Sequence, residues 1–239
     1  MFIGGINFSL IFFLFKGVPK KLLKDEEFRW YGAICAIFAV VITLGLFLTN
    51  HISNFEQAFR TSLFQVTSII TTTGFTTTSY MTWGAFYLFL ICLLMLFCAC
   101  AGSTSGGIKI VRIIILFKNA INEFKRQVQP NAILPVRLNG QVVPIDIVTK
   151  ILAFIFLYLG ILIFSFIVLS FSGMEFEESI GAAISCMGNV GPGLGENGIS
   201  GHFADIPTFS KWYLCFIMLT GRLELFTVLS LFIPAFWRK

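Results

Sequence analysis

The sequence predicts an all-α integral membrane fold built from two tandem copies of one hairpin. Three observations predict it. Of the 239 residues 56% are hydrophobic, only 12% are charged, and long apolar runs alternate with shorter ones in an order that occurs twice. In an average soluble domain roughly a quarter of the residues are charged. The 17 basic and 12 acidic side chains of this chain are too few to cover the surface of a soluble domain of this length.

The same composition excludes several classes of protein. The chain is too apolar to be disordered. Its six cysteines lie inside apolar stretches, where cysteine acts as a small hydrophobe, and their spacing matches no zinc site. The net charge of +5 is small and scattered along the sequence, so nucleic acid is not an expected partner.

The apolar runs set the number of membrane spans. The run 1–15 is shorter than the ~20 residues of a spanning helix and precedes its basic residues, which is the reverse of a signal peptide. We interpret it as the end of a span that begins further upstream. Four longer runs are predicted to span the membrane: Trp30–Thr49, Gly84–Ala101, Ile147–Phe171 and Trp212–Phe236.

Two shorter apolar segments follow the first and third spans. Phe55–Ile70 and Phe176–Met187 are too short to span and long enough to re-enter the membrane. Each precedes a glycine-containing polar strip and then another span, and Gly74 and Gly191 occupy matching positions. The sequence therefore predicts a tandem repeat of span, re-entrant pore helix, filter and span.

This repeat divides the chain into four parts. We expect the end of a preceding span and a cytoplasmic linker in residues 1–29, one pore repeat in 30–118, a second linker in 119–146 and another pore repeat in 147–239.

The distribution of lysine and arginine predicts the orientation. Of the 17 basic residues, 14 lie in segments 16–29 and 109–150 or at the C-terminal end, which places these segments in the cytoplasm. The opposite side carries six acids, a balance that would concentrate cations, although ordinary solvated loops explain each acid equally well. These acids are Glu56, Glu175, Glu177, Glu178, Glu196 and Asp205.

The polar strips Thr71–Phe75 and Gly188–Pro192 follow the two re-entrant helices. Non-helical backbone at membrane depth is tolerated only where it is buried in protein or lines water. A strip with one glycine can turn successive carbonyls inward, and a ring of carbonyls replaces the hydration shell of a monovalent cation. The negative end of each re-entrant helix favours a cation nearby. A helix-breaking loop without an ion role is the alternative, and the second copy at matching spacing disfavours it.

The segment Gly102–Gly107 interrupts the second span with three glycines, two serines and a threonine. A phosphate-binding loop would need a Ser or Thr directly after Lys109. A serine nucleophile would need a base, and both histidines, His51 and His202, lie on the predicted outer side. We therefore expect no enzyme and no catalytic residue. The segment is predicted to leave flexible backbone in the pore, with a kinked helix packed by small residues as the alternative.

Arg222 and Glu224 lie in the fourth predicted span. A charge at membrane depth costs ~2.5–3.5 kcal/mol on insertion scales, so it should be paired or line water. One interpretation pairs Arg222 locally, with Glu224 or with backbone carbonyls. The other places its charge at the pore near Gly102–Gly107, as an electrostatic barrier to cations.

Four motifs in this order resemble the TrkH family, the membrane subunits of bacterial potassium uptake systems, to which KtrB and the plant HKT transporters are related. The resemblance covers the whole chain and implies a potassium-channel-like fold. In that family four pore repeats surround one pore, and this chain resembles the third and fourth, that is, the C-terminal half. The motifs are Thr71–Phe75, Ala101–Arg112, Gly188–Gly195 and Gly221–Phe226.

The resemblance also implies roles for individual residues. Potassium would be the transported ion, with no other metal and no cofactor. The filter would be lined by carbonyls of Thr72, Thr73, Gly74, Phe75, Asn189, Val190, Gly191 and Pro192. Gating would involve Arg222 and an intramembrane loop formed by Gly102, Ser103, Thr104, Ser105, Gly106 and Gly107.

The function expected from this resemblance is potassium uptake across the bacterial inner (plasma) membrane. The family implies a homodimer of full-length subunits and a cytosolic TrkA-like nucleotide-binding ring, for which the basic segment 118–126 is a candidate docking surface. Two alternatives stay open: a truncated or regulatory half that does not conduct without the missing repeats, and a Na⁺/K⁺ transporter of the same superfamily. Glycine at both Gly74 and Gly191 fits potassium.

Overall fold

A computed structural model describes residues 1–49, 51–52, 54–132, 134–195, 203–223 and 225–237. Glu196, His202 and Glu224, which the predictions from the sequence include, lie outside these residues. Helices dominate the described chain. They are α1 (Phe8–Phe15), α2 (Pro19–Lys24), α3 (Glu26–Leu48), α4 (Phe55–Ile70), α5 (Ala85–Leu96), α6 (Ile110–Val128), α7 (Ile145–Phe171), α8 (Phe176–Gly188), α9 (Thr208–Arg222), α10 (Leu225–Ser230) and α11 (Pro234–Trp237).

Two of the described helices, α3 and α7, are long and apolar enough to cross a membrane. Helix α3 begins where the Asp25 carboxylate accepts a hydrogen bond of 2.9 Å from the Phe28 amide, which caps its first turn. Many large apolar side chains on both helices point outward, such as Ile37 and Phe156, which are 60% and 78% exposed. Such exposure is expected where lipid covers the surface. The first and third predicted spans are thus confirmed as long apolar helices, each with a slightly earlier start.

The two short helices after these spans match the predicted re-entrant segments. Helix α4 covers Phe55–Ile70 as predicted, and its first turn is capped by the Asn54 side chain. Helix α8 extends one residue beyond the predicted end, to Gly188. Within each repeat the short helix packs on its neighbours, α4 on α3 and α8 on α7 and α9.

The second predicted span breaks earlier than expected. We predicted helix up to Ala101, and this is wrong, because α5 ends at Leu96. Strand β1 (Phe97–Cys98) then pairs in parallel with β2 (Ile108–Lys109), on the far side of the glycine–serine segment. The apolar sequence from Phe97 to Cys100 gives no local signal for this break, since the strand pairing depends on residues eleven positions away.

The fourth predicted span is also interrupted. Continuous helix from Trp212 to Phe236 is wrong, since α9 ends at Arg222 and α10 begins at Leu225. Helix α11 starts at Pro234, which lacks an amide proton and is tolerated only in a first turn.

The predicted linker 119–146 contains a small β-hairpin that the sequence interpretation missed. Strands β3 (Arg137–Leu138) and β4 (Gln141–Val142) are antiparallel and are joined by Asn139 and Gly140. Both turn residues have positive φ, 50° and 79°. Asn-Gly between short strands is a typical signal of a tight hairpin turn, so the signal was present in the sequence.

The two repeats pack against each other. The core around α3, α4 and α5 includes three buried side chains of the second repeat, Ile184, Val190 and Leu194. Helix α5 also packs on α8. The strips that follow the two re-entrant helices are therefore held side by side.

Candidate functional site

The strips Thr71–Phe75 and Gly188–Pro192, here called filter strips 1 and 2, have the same backbone shape. Thr72, two residues after α4, and Asn189, one residue after α8, both adopt a left-handed conformation, with φ of 52° and 57°. Two residues later Gly74 and Gly191 have φ of 76° and 113°. Non-glycine residues adopt positive φ rarely, so its recurrence at matched positions marks a shared backbone geometry.

Each filter strip folds back on the end of its own helix. The Thr73 amide donates to the Ser68 carbonyl, and the Val190 amide donates to the Ser185 carbonyl, both at 2.9 Å. The hydroxyls of these serines, which are fully buried, also bond to the strips. Ser68 donates to the Phe75 carbonyl at 2.6 Å, and Ser185 accepts from the Gly191 amide at 3.1 Å.

Sequence reasoning missed these two serines. The signal was present, since each lies six residues before its filter glycine. The Ser68 bond occupies one lone pair of the Phe75 carbonyl, one of the predicted filter ligands. This hydrogen bond shows that filter strip 1 is attached to helix α4 at Phe75.

The two filter strips lie against each other at their glycine positions. A Cβ atom added at Gly74 would overlap the Val190 carbonyl oxygen and lie 3.2 Å from Cδ of Pro192. Beyond the strips, the buried Tyr80 hydroxyl donates to the Gly193 carbonyl at 2.9 Å. The structure thus brings predicted filter residues of the two repeats together.

The ends of both re-entrant helices point electrostatically negative groups at the strips. Helices α4 and α8 carry acidic residues in their first turns and, among their described residues, no basic residue in their last turns. The C-terminal end of a helix carries a partial negative charge that favours cations. A cation at the filter strips would therefore lie near two such ends.

The glycine–serine segment Gly102–Gly107 lies directly under the filter strips. The Gly106 amide donates to the Thr72 hydroxyl at 3.3 Å. A Cβ atom at Gly106 would lie 3.0 Å from both Cβ of Asn189 and the Gly188 carbonyl oxygen. A side chain at this position would therefore require filter strip 2 to shift.

Side chains within the segment bond locally. The Ser103 hydroxyl donates to the Cys100 carbonyl at 2.5 Å and lies 2.8 Å from the Ser105 hydroxyl. The Lys109 ammonium donates to the Ser105 carbonyl. These bonds give the segment a defined shape rather than that of a solvated loop.

Arg222 lies at the end of α9 and donates from its guanidinium to the Thr104 carbonyl. The structure therefore brings the predicted gating residues together. The carbonyl that Arg222 contacts belongs to the segment Gly102–Gly107 and is not a local one, which agrees with the interpretation that places Arg222 near this segment. A cavity of about 30 Å³ separates the segment from α9. It is lined in part by Ser105, Gly107, Thr220, Gly221 and Arg222.

Comparisons with known proteins agree with this geometry. The chain matches the TrkH family model, described as a cation transport protein, over residues 1–239. It is 35% identical over 240 residues to the Trk system potassium uptake protein TrkH of Escherichia coli, and 37% identical over 242 residues to TrkH of Vibrio parahaemolyticus. These alignments cover all of this chain and 49% and 50% of the relatives, so the chain spans about half the length of the curated relatives it matches.

A solved structure extends the match to three dimensions. The crystal structure of the potassium transporter TrkH from Vibrio parahaemolyticus superposes with a TM-score of 0.92 at 37% identity. It covers 99% of this chain, which covers 51% of that one. The family match over the full chain, the sequence identity and the superposition agree, and the chain belongs to the TrkH family of cation transport proteins.

Proposed function

We propose that this chain forms half of a potassium-conducting pore and serves potassium uptake across the plasma membrane of a bacterium. The observation that carries the proposal is the matched pair of filter strips, which repeat one backbone geometry and meet at Gly74 and Val190. Carbonyl-lined strips of this kind replace the hydration shell of a monovalent cation. The names of the relatives, potassium uptake proteins, support potassium as the ion.

A complete pore needs further strips. Two strips line only half of a fourfold ring, and the relatives are about twice as long as this chain. The other half would come from sequence upstream of this segment or from another chain. We further propose that the full-length subunit forms a homodimer in the inner membrane.

The glycine–serine segment Gly102–Gly107 would gate this pore. It lies under the filter strips, where it would obstruct the path of an ion, and its glycines leave its backbone free to move. The Arg222 charge beside Thr104 would add an electrostatic barrier to cations. A cytosolic TrkA-like nucleotide-binding ring would control the segment from the cytoplasmic side, where the basic segment 118–126 offers a docking surface.

Growth of uptake-deficient bacteria on limiting potassium tests the proposal. We expect growth when the chain is expressed together with its upstream coding sequence, or with the other half of a TrkH relative, and no growth when it is expressed alone. Failure in every combination, with the protein present in the membrane, would support the non-conducting regulatory half instead. Sodium uptake at the same rate as potassium uptake in the rescued cells would favour a Na⁺/K⁺ transporter.

A further inference from the structure

One buried carboxylate has no part in the proposed pore. Glu27 lies in the first turn of α3 and is only 7% exposed. Its Oε1 atom accepts a hydrogen bond of 2.5 Å from the Ala101 amide, directly before the glycine–serine segment. A buried carboxylate is costly unless it is hydrogen-bonded or paired, so this contact fixes both partners.

Backbone contacts hold the chain on either side of Ala101. The Cys100 amide donates to the Gly5 carbonyl at 3.0 Å, and the Phe8 amide donates to the Gly102 carbonyl at 3.3 Å. In this stretch, the Ala101 amide differs in that its acceptor is a side chain of α3. Removing that side chain would therefore release the Ala101 amide without changing the sequence of the segment itself.

The same first turn of α3 is anchored to the cytoplasmic linker. Asn139, in the turn of the β3–β4 hairpin, accepts from the Glu26 amide at 2.8 Å and donates to the Asp25 carboxylate at 2.7 Å. Lys118 on α6 bonds to the Glu26 carboxylate at 2.5 Å and to the Arg137 carbonyl at 2.8 Å. A movement of the hairpin would act directly on the turn that carries Glu27.

We infer that Glu27 is a positioning residue for the glycine–serine segment and couples it to the cytoplasmic hairpin. With the Glu27–Ala101 bond intact, the segment stays under the filter strips. Displacement of the hairpin moves the first turn of α3, weakens this bond and frees the start of the segment. The consequence for ion flow rests on the proposed function, whereas the positioning itself does not.

Amide hydrogen exchange in the complete protein, expressed with its upstream coding sequence and purified in lipid, tests the positioning. Glu27→Ala removes the acceptor, so we expect exchange of the Ala101 amide to rise about tenfold. Glu27→Gln keeps a side-chain oxygen as the acceptor, so its Ala101 amide should exchange within about 1.5-fold of the rate in the unmodified protein. Asp146→Ala, which removes an exposed carboxylate from the first turn of α7, is the matched control and should leave the Ala101 amide unchanged.

Asn139→Ala tests the coupling. It removes the hairpin contacts to Asp25 and Glu26 and leaves Glu27 in place, so we expect a rise of about threefold in exchange at Ala101. If Glu27→Ala does not fold, Glu27→Asp withdraws the carboxylate by one methylene and takes its place. Unchanged exchange at Ala101 in Glu27→Ala or Glu27→Asp overturns the positioning role, and unchanged exchange in Asn139→Ala overturns the coupling.

Potassium flux through the same variants provides the second readout. We expect Glu27→Ala to raise the leak of potassium several-fold and Glu27→Gln to keep the leak as low as in the unmodified protein. A merely destabilising change would not produce this difference between the two variants. If the exchange responds and no variant conducts, the proposed function fails and the positioning stands. If the unmodified protein conducts and Glu27→Ala alters neither exchange nor leak, the positioning fails and the proposed function stands.

Discussion

Gly74 lies at a close contact between the two repeats, and its substitution separates two physical effects. Its φ is 76°, and an added Cβ would overlap the Val190 carbonyl oxygen. Gly17 has the same φ but nothing within 4 Å of an added Cβ. We expect Gly17→Ala to cost about 1 kcal/mol of stability with uptake unchanged. Gly74→Ala carries the same strain plus the overlap and should reduce potassium uptake at least about tenfold.

Thermal unfolding and potassium uptake of the two variants provide the measurement. Equal uptake by Gly74→Ala and Gly17→Ala would mean that the filter strips do not need this close approach.

Arg222 allows charge to be separated from hydrogen bonding. Arg222→Gln keeps a donor near the Thr104 carbonyl but removes the charge, whereas Arg222→Lys keeps the charge. If the charge is a barrier, we expect the leak of potassium to rise several-fold in the Gln variant and to stay low in the Lys variant. Flux measurements in membrane vesicles, corrected for the amount of protein, check this. Unchanged flux in Arg222→Gln would contradict the barrier.

Single residues show why part of the site could be predicted from sequence. The filter glycines could be predicted, because a glycine amid polar residues after a short apolar helix indicates a special backbone conformation. Ser68 and Ser185 could not be singled out, since a serine in a helix usually has a local role and only its spacing from the filter glycine distinguishes it. The role of Glu27 could not be predicted either, because an acid in the first turn of a helix is common and its partner Ala101 is 74 residues away.

At the scale of elements, helices with periodic sequence were predictable and helices ended by distant partners were not. The bounds of α4 follow from Asn54 as a cap and from the polar residues after Ile70. Helix α5 ends at Leu96 because the following residues pair with Ile108 and Lys109. No pattern within residues 97–100 encodes that pairing.

Helix α9 owes its place beside filter strip 2 to a glycine. A Cβ at Gly221 would overlap the Met187 carbonyl oxygen and lie 2.8 Å from the Asn189 side-chain nitrogen. Backbone cannot yield as a flexible side chain does, so Gly221→Ala should cost about 1–3 kcal/mol. In Gly160→Ala, on α7, the new methyl group meets nothing within 4 Å, so the variant should be as stable as the original or gain up to ~1 kcal/mol.

Thermal unfolding of both variants in the same lipid checks this prediction. A lower midpoint for Gly160→Ala than for Gly221→Ala would contradict the close packing of α9 on α8.

At the scale of the whole molecule, the tandem repeat was the most informative pattern in the sequence. The recurring order of span, short helix, filter glycine and span indicated two copies of one hairpin, and the matched φ values of Thr72 and Asn189 show the same repeat in the backbone. The contacts between the copies could not be predicted, because they join residues that are unlike and far apart. Tyr80 and Gly193, 113 residues apart, are such a pair.

The Tyr80 hydroxyl therefore offers a test of whether the fit between the repeats sets the properties of the filter. Tyr80→Phe removes one bond between the repeats, and Tyr213→Phe removes one within the second repeat, where Tyr213 donates to the Ser165 hydroxyl at 3.0 Å. Each should cost about 1 kcal/mol of stability, visible as similar shifts in the unfolding midpoint. Only Tyr80→Phe loosens filter strip 2 against the first repeat, so only this variant should lower the discrimination of potassium over sodium, by several-fold in competition uptake. Equal discrimination in both variants would mean that each strip is held by its own repeat alone.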